Sequence, residues 1–265
     1  MDNDITQTRF GLGRIIATGW QLYCRHFLSI LPIFLIVYIP INIGLSFVPV
    51  DQLIATHGLR GFRIYMKLIQ LTEFFIGVLA TMALAKLIES AVSGTPITWQ
   101  TAFRHAVSRW GASIGTGLLA GLIVLGLVLL LIVPGIIWGL YYVLFVYVVA
   151  LRGLSGKQAL DYSKRLVKGQ WWRVFGYLLV IELFGLVATL VVAVPLFFTP
   201  DHRLLDIISD TLVDIVSALT LTMTTVFFLN NDYINKQGEQ NPVGNPVPLA
   251  DVGPGASLEA DIGKK

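Results

Sequence analysis

The sequence predicts an all-α fold, a polytopic transmembrane helical bundle of six spans, and three observations predict it. Hydrophobic residues make up 55% of the chain and charged residues only 13%, with a mean hydropathy of +0.74. Soluble domains carry about 25% charged residues, so a chain of 265 residues has too little polar surface to enclose this much apolar surface in water. Several uncharged stretches reach the roughly 20 residues that cross about 30 Å of hydrocarbon. Polar segments rich in basic and aromatic residues stand in front of three of those stretches, as membrane-surface anchors do.

In chain order the spans fall near 27–48, 66–90, 111–133, 135–152, 174–198 and 205–230. Val133-Pro134-Gly135 leaves no room for a polar loop, so a proline-glycine break turns span three straight back into span four. Residues 1–235 form the membrane domain. Residues 236–265 change abruptly to a Pro- and Gly-rich composition with no apolar period, which predicts a disordered cytoplasmic tail. The N-terminus is polar and its first hydrophobic run is too long for a signal h-region, so no cleavable signal peptide is expected.

Three amphipathic interfacial helices are expected. RIIATGWQLYCRHF precedes span one, with Ile16, Trp20, Tyr23 and Phe27 on one face. TPITWQTAFRHAVSRW precedes span three, with Trp99, Phe103, Val107 and Trp110. SGKQALDYSKRLVKGQWWR precedes span five, with Leu160, Ser163, Val167 and Trp171. Each carries an apolar stripe opposite basic residues. Thr95-Pro96 supplies an N-cap and first-turn proline to the second, and Ser155 with Gln158 has capping-box spacing in the third. The following spans each hold a proline toward the far end: Pro40, Pro134 and Pro195. Together these suggest a threefold internal repeat of interfacial helix, span, proline turn or kink, and returning span. The alternative is that any membrane-surface helix looks basic, amphipathic and aromatic.

The distribution of Lys and Arg sets the orientation. The segment between spans four and five holds Arg152, Lys157, Lys164, Arg165, Lys168 and Arg173 against Asp161. Arg9, Arg14, Arg25, Arg104 and Arg109 belong to the same side, which should be cytoplasmic together with both termini. Asp201, Arg203, Asp206 and Asp210 lie on the other side, where Arg60, Arg63 and Lys67 run against the rule. Lys157, Lys164, Arg165, Lys168 and Arg173 are the expected contacts to anionic lipid head groups, at about 1 kcal/mol each near a charged surface. Ordinary topology determinants would look the same.

An ionised side chain at mid-bilayer costs roughly 2.5–3.5 kcal/mol even on insertion scales, so intramembrane acids are the functional candidates. Glu182 lies about ten residues into span five and must face a partner, face water or be protonated. Asp206, Asp210 and Asp214 recur every fourth residue on one face of span six, continued by Ser217 and Leu221. Glu73 sits near the outer end of span two. Together they could form a proton or cation path. The plain alternative is a helix-gluing carboxyl and an exposed helix start. Ser113, Gly117 and Gly121 in span three and Gly135 and Gly139 in span four form small-residue stripes for close helix packing. Arg152-Gly153 ends span four with no acidic cluster beside it.

Enzyme signals are thin. His26, His57, His105 and His202 have no metal-ligand spacing, Cys24 is the single cysteine, and no serine-hydrolase elbow, zinc-protease or phosphate-loop motif occurs. No cofactor, metal or nucleic-acid partner is expected. A homo-oligomer or a partner membrane protein remains open.

IVPGII followed by VLFVYVVALRGLSGKQALDYSKRLVKGQWWRVFGYLL resembles a signature of the UPF0259/YciC-like bacterial membrane proteins. It is also similar to the related membrane domain attached to some glycerophosphodiester phosphodiesterases. The resemblance implies a multi-pass protein of the bacterial plasma (inner) membrane without an assigned activity. No phosphodiesterase residue has a counterpart here. The leading expectation is a non-enzymatic protein that binds or organises lipid or partner proteins. The rival is a small transporter or channel using the intramembrane acids.

Overall fold

The computed structural model describes Ile5, residues 8–197 and residues 203–240. Among these the chain is helical throughout, apart from short connections. We number the helices α1 (Leu12–Ser46), α2 (Val50–His57), α3 (Leu59–Thr72), α4 (Val78–Val92), α5 (Trp99–Leu130), α6 (Ile132–Tyr142), α7 (Phe145–Arg152), α8 (Gly156–Val167), α9 (Trp171–Phe197) and α10 (Arg203–Gln240). A single π-helical turn, Glu73–Gly77, joins α3 to α4. Six stretches are long and apolar enough to cross a membrane: α1, α3 with α4, α5, α6 with α7, α9 and α10.

Two of the three basic segments continue without a break into their spans. Residues 14–27 are the start of the 35-residue α1, and residues 99–110 open the 32-residue α5. At 1.5 Å per residue these helices measure about 50 Å, well beyond a hydrocarbon core of about 30 Å, so their polar ends project past it. The third segment is a separate helix, α8. Gly153 ends α7 at φ 70° and Gly169 follows α8 at φ 85°, left-handed conformations that glycine adopts without steric cost. One face of α8 buries Ala159, Leu160, Ser163, Leu166 and Val167 against the bundle.

Several boundaries move from their expected places. The α5–α6 reversal is at Leu131, which is extended, and Pro134 falls in the first turn of α6, where no helical N–H partner is lost. Pro40 and Pro195 lie inside α1 and α9. Thr98 caps α5, its hydroxyl accepting from the Thr101 N–H at 3.4 Å, in place of Thr95. Ser155 occupies the N-cap of α8 but makes no side-chain cap bond. The last helix continues to Gln240, past the expected boundary at 235. Residues 241–265 of the expected tail, with Asp201 and His202, lie outside the described residues.

α10 is the axis of the bundle. In its most apolar window 61% of residues are buried, against 11% in α9. It packs on α1, α9 and α4, and α4 packs in turn on α5 and α7. Close approach follows small residues. A Cβ on Gly19 would lie 2.5 Å from Met223 Cγ, which brings the α1 backbone against α10. Gly135 meets Val128 inside the α5–α6 hairpin at 2.2 Å in the same sense, and Gly117 meets Phe74 at 2.8 Å. The rest of the expected stripes corrects differently. Gly139 has only ordinary contact with Val124, and Gly121 is exposed with open space where a Cβ would stand.

The N-terminal segment is tied in at the end of the bundle where α1 begins and α10 finishes. The Asn230 amide accepts from the Phe10 N–H at 2.9 Å and donates to the Ile5 and Thr8 carbonyls, each at 2.8 Å. Arg173, from the first turn of α9, donates to the Phe10 carbonyl at 2.7 Å.

Candidate functional site

Two polar centres interrupt the apolar bundle, near opposite ends of it. Glu73 and Glu89 mark them, and 16 residues of helix put them about 24 Å apart.

The first centre, at the end where α1 begins, is an ion network built on Arg152. Its Nη1 donates to Glu89 Oε1 at 2.6 Å. Its Nε donates to Asp232 Oδ2 at 2.9 Å, and Nη2 lies 2.6 Å from the same oxygen. Tyr162 of α8 donates to the other Asp232 oxygen. Lys86 and Lys236 flank the acids at 2.9 Å each. Asp232 has no exposed surface, and Glu89 is 8% exposed. A buried charge survives when it is paired and hydrogen-bonded, and here α4 and α10 each supply two members and α7 and α8 one each. Burial, with the adjoining Asp232 carboxylate, holds the Tyr162 phenol above its ordinary pKa, so it keeps its proton and donates. Arg152 therefore does have an acidic cluster beside it, assembled from residues 63 and 80 positions away. Glu89 and Asp232 do not stand out in the sequence, because each lies at the end of a span. The one available signal was Asn230-Asn231-Asp232 directly after the apolar VFFL run.

The second centre lies toward the opposite end, between α1, the π turn and α10. Tyr38 donates to Glu73 Oε1 at 2.9 Å. Asn42 donates to Asp214 Oδ2 at 2.8 Å and to Thr211 Oγ1 at 3.2 Å. Glu73 and Asp214 are within Coulombic reach of each other. The π turn inserts one extra residue into the helix, a feature frequent at functional sites, and Glu73 opens it, exposed on one side and bonded to Tyr38 on the other. Gly77 leaves the room for it, since a Cβ there would lie 2.2 Å from the Glu73 carboxyl.

Beside Glu73 opens a cavity of about 510 Å³. Its walls are the α3–α4 junction (Ile69, Glu73, Phe74, Val78), α5 (Ser113, Ile114, Gly117) and α7 (Phe145, Val146), with Gln70 and Thr81 as further polar groups. Ser113 is 1% exposed, and its hydroxyl has no hydrogen-bond partner among the described residues. Buried hydroxyls are nearly always paired, so this wall offers an unused polar position.

The predicted acids thus divide. Glu73 and Asp214 come together. Asp210 lies one turn before Asp214, exposed on the outer end of α10 within Coulombic reach of Tyr65 and Asp206. Glu182 joins none of them, because it is exposed on α9 and makes no hydrogen bond or ion pair with a described residue. The expected lipid-contacting cations divide too. Lys157, Arg165 and Lys168 are exposed. The Lys164 ammonium sits 3.9 Å from the Trp138 ring, Arg165 covers Tyr162 at 4.9 Å and Arg173 covers Tyr177 at 4.9 Å. Those three contacts are cation–π; Lys164 and Arg173 are half-buried, and Arg165 stays exposed over its ring. Among the described residues no three metal-ligating side chains gather.

No curated protein and no solved structure matches the chain. Residues 71–231, which include both polar centres apart from their α1 partners, Asp232 and Lys236, match a protein family, and the chain belongs to that family, a domain of unknown function (DUF7847).

Proposed function

We propose that this is a non-enzymatic membrane protein that holds a lipid-like amphiphile, an apolar chain with a hydrogen-bonding group, in the cavity beside Glu73. The carrying observation is the cavity itself: about 510 Å³, largely apolar, with the Glu73 carboxyl and the unpartnered Ser113 hydroxyl as its fixed polar points. Sites for small apolar ligands have this composition. A neutral head group suits it, since a second ion at this depth would need its own compensation. The proposal is tested by photolabelling the purified chain in nanodiscs with a diazirine-bearing fatty alcohol. Labels should concentrate on Phe74 and Val146, and Ile114→Trp should remove them while labelling of lipid-facing Leu122 persists. Equal labelling of Phe74 and Leu122 in both proteins would overturn it.

Around this reading we place the finer expectations as proposals. The end carrying Lys157, Lys168, Arg104 and Arg109 faces the cytoplasm under the positive-inside rule, which puts both termini there, in a bacterial inner membrane. Its basic residues contact anionic head groups, Lys157 and Lys168 most directly. The threefold repeat, the interfacial role of α8 and kinship with the UPF0259/YciC-like proteins belong to the same proposal. The rival is a transporter, favoured by one observation, the approach of Glu73 to Asp214. The isolation of Glu182 removes its mid-membrane step. Glu73→Gln in proteoliposomes discriminates, because flux that disappears in this variant would favour the rival.

A further inference from the structure

The cavity beside Glu73 changes character along its length. At one end stand Gln70 and Glu73, both exposed. Past them the walls are apolar: Phe74 and Phe145 close over Gly117, where a Cβ would lie 2.8 Å from the first ring and 3.2 Å from the second. Beyond that aromatic waist the walls turn polar again, with Ser113 on α5 and Thr81 on α4. These two helices follow one another through a short connection and pack side by side, antiparallel. The contact of Phe74 with Gly117 therefore puts Ser113 level with Val78. At 1.5 Å per residue that is about 7 Å further into the span than Glu73, and Thr81 is about 12 Å further.

Ser113 is the informative member of this inner pair. It is 1% exposed, and its hydroxyl has no partner among the described residues. Neighbouring buried hydroxyls are satisfied within their own helices. Thr116 donates to the Ala112 carbonyl and Ser90 to the Leu87 carbonyl, the usual local bond of such side chains. Ser113 makes no bond of that kind and instead walls the cavity.

We propose that Ser113 and Thr81 form a second polar subsite, which takes a carbonyl carried in the middle of the amphiphile's chain. The ligand is then a lipid oxygenated at two points, with a neutral head group beside Gln70 and Glu73 and a keto or ester oxygen past the waist. The inference rests on the amphiphile reading of this cavity and specifies what that amphiphile is. A carbonyl oxygen accepts at two lone pairs and carries no donor of its own, so hydroxyls from two helices satisfy it. A hydroxyl at this depth would have to place its own hydrogen as well, where the helix carbonyls are already engaged. A plain hydrocarbon chain would leave Ser113 dry and unpaired, which a buried polar group resists.

The test uses the full chain in nanodiscs and the same diazirine-bearing fatty alcohol, displaced by competitors whose amounts are counted per lipid. Octadecanol and an octadecanol with a keto group at mid-chain should both remove label from Phe74. The ketone should do so at about tenfold lower density, the scale of one hydrogen bond to a buried group. A keto group moved next to the alcohol should confer no such gain. Ser113→Ala should bring the mid-chain ketone within about twofold of octadecanol while octadecanol competes as before, which also shows that the variant is folded. Thr81→Val should reduce the ketone's advantage in the same direction. Equal competition by the two compounds in wild type, or an advantage that survives Ser113→Ala, overturns the subsite, gives Ser113 to a bound water and leaves the amphiphile reading in place. Failure of both compounds to displace label from wild type overturns the amphiphile reading and the subsite with it.

Discussion

Replacing Arg152 by methionine would test how much of the bundle hangs on a single guanidinium. Methionine keeps the unbranched stem and removes the charge. The wild-type side chain meets Glu89 Oε1 at 2.6 Å and Asp232 Oδ2 through two nitrogens at 2.6 and 2.9 Å. Asp232 has no exposed surface, and Glu89 has 8%. Removing one member of a buried pair costs about 3–5 kcal/mol, because the other is left charged and uncompensated. The lower end applies here. Asp232 retains Tyr162 and Lys236, and Glu89 retains Lys86, but those lysine side chains are 41% and 31% exposed. Exposed pairs contribute under about 1 kcal/mol each, so they soften the loss without cancelling it. The expected destabilisation is about 3 kcal/mol, measured by SDS titration of the purified protein in mixed micelles with circular dichroism as readout. Asp232→Asn added to Arg152→Met should cost less than Asp232→Asn alone, with a coupling of about 1–3 kcal/mol. A loss below about 1 kcal/mol, or strict additivity, would refute the view that this network locks α4, α7, α8 and α10 together.

Two further outcomes are expected. Gly77→Ala should displace the Glu73 carboxyl, which would lie 2.2 Å from the new methyl, and break its bond to Tyr38. The cost is about 1 kcal/mol in the same micelle titration and should vanish when Tyr38→Phe is already present. Tyr162 supplies a pH signature. Its folded-state pKa is raised above the ordinary 10.0 by burial, by the hydrogen bond to Asp232 and by that carboxylate's charge, so the folded protein holds the proton more tightly than the unfolded chain does. The stabilisation is complete below about pH 10 and is lost as pH rises beyond it. Between about pH 10 and about pH 12, wild type should lose stability more steeply than Tyr162→Phe, and parallel profiles would contradict the assignment.

The spans were legible because a bilayer imposes a one-dimensional criterion, about 20 apolar residues per crossing, which sequence order already contains. Glu73 and Asp214 were legible for a related reason, since an acid inside an apolar run stands out wherever the chain later carries it. What could not be read was pairing. Arg152, Glu89 and Asp232 each sit at the end of a span, where a charge costs little and therefore signals little. Only the fold, by bringing three span ends together under α8, makes them a buried network. Glu182 shows the reverse error: a prominent residue was joined to the other acids on the strength of depth alone. Depth follows from position along a helix, but facing follows from which helix becomes the axis, and that depends on contacts such as Gly19 against Met223 and Gly185 against Thr220. These contacts made α10 the axis and left α9 at the rim. An acid at the same depth is a core group on the first and an outward-facing one on the second, so the placement of α9, more than the presence of Glu182, decides what that residue can do.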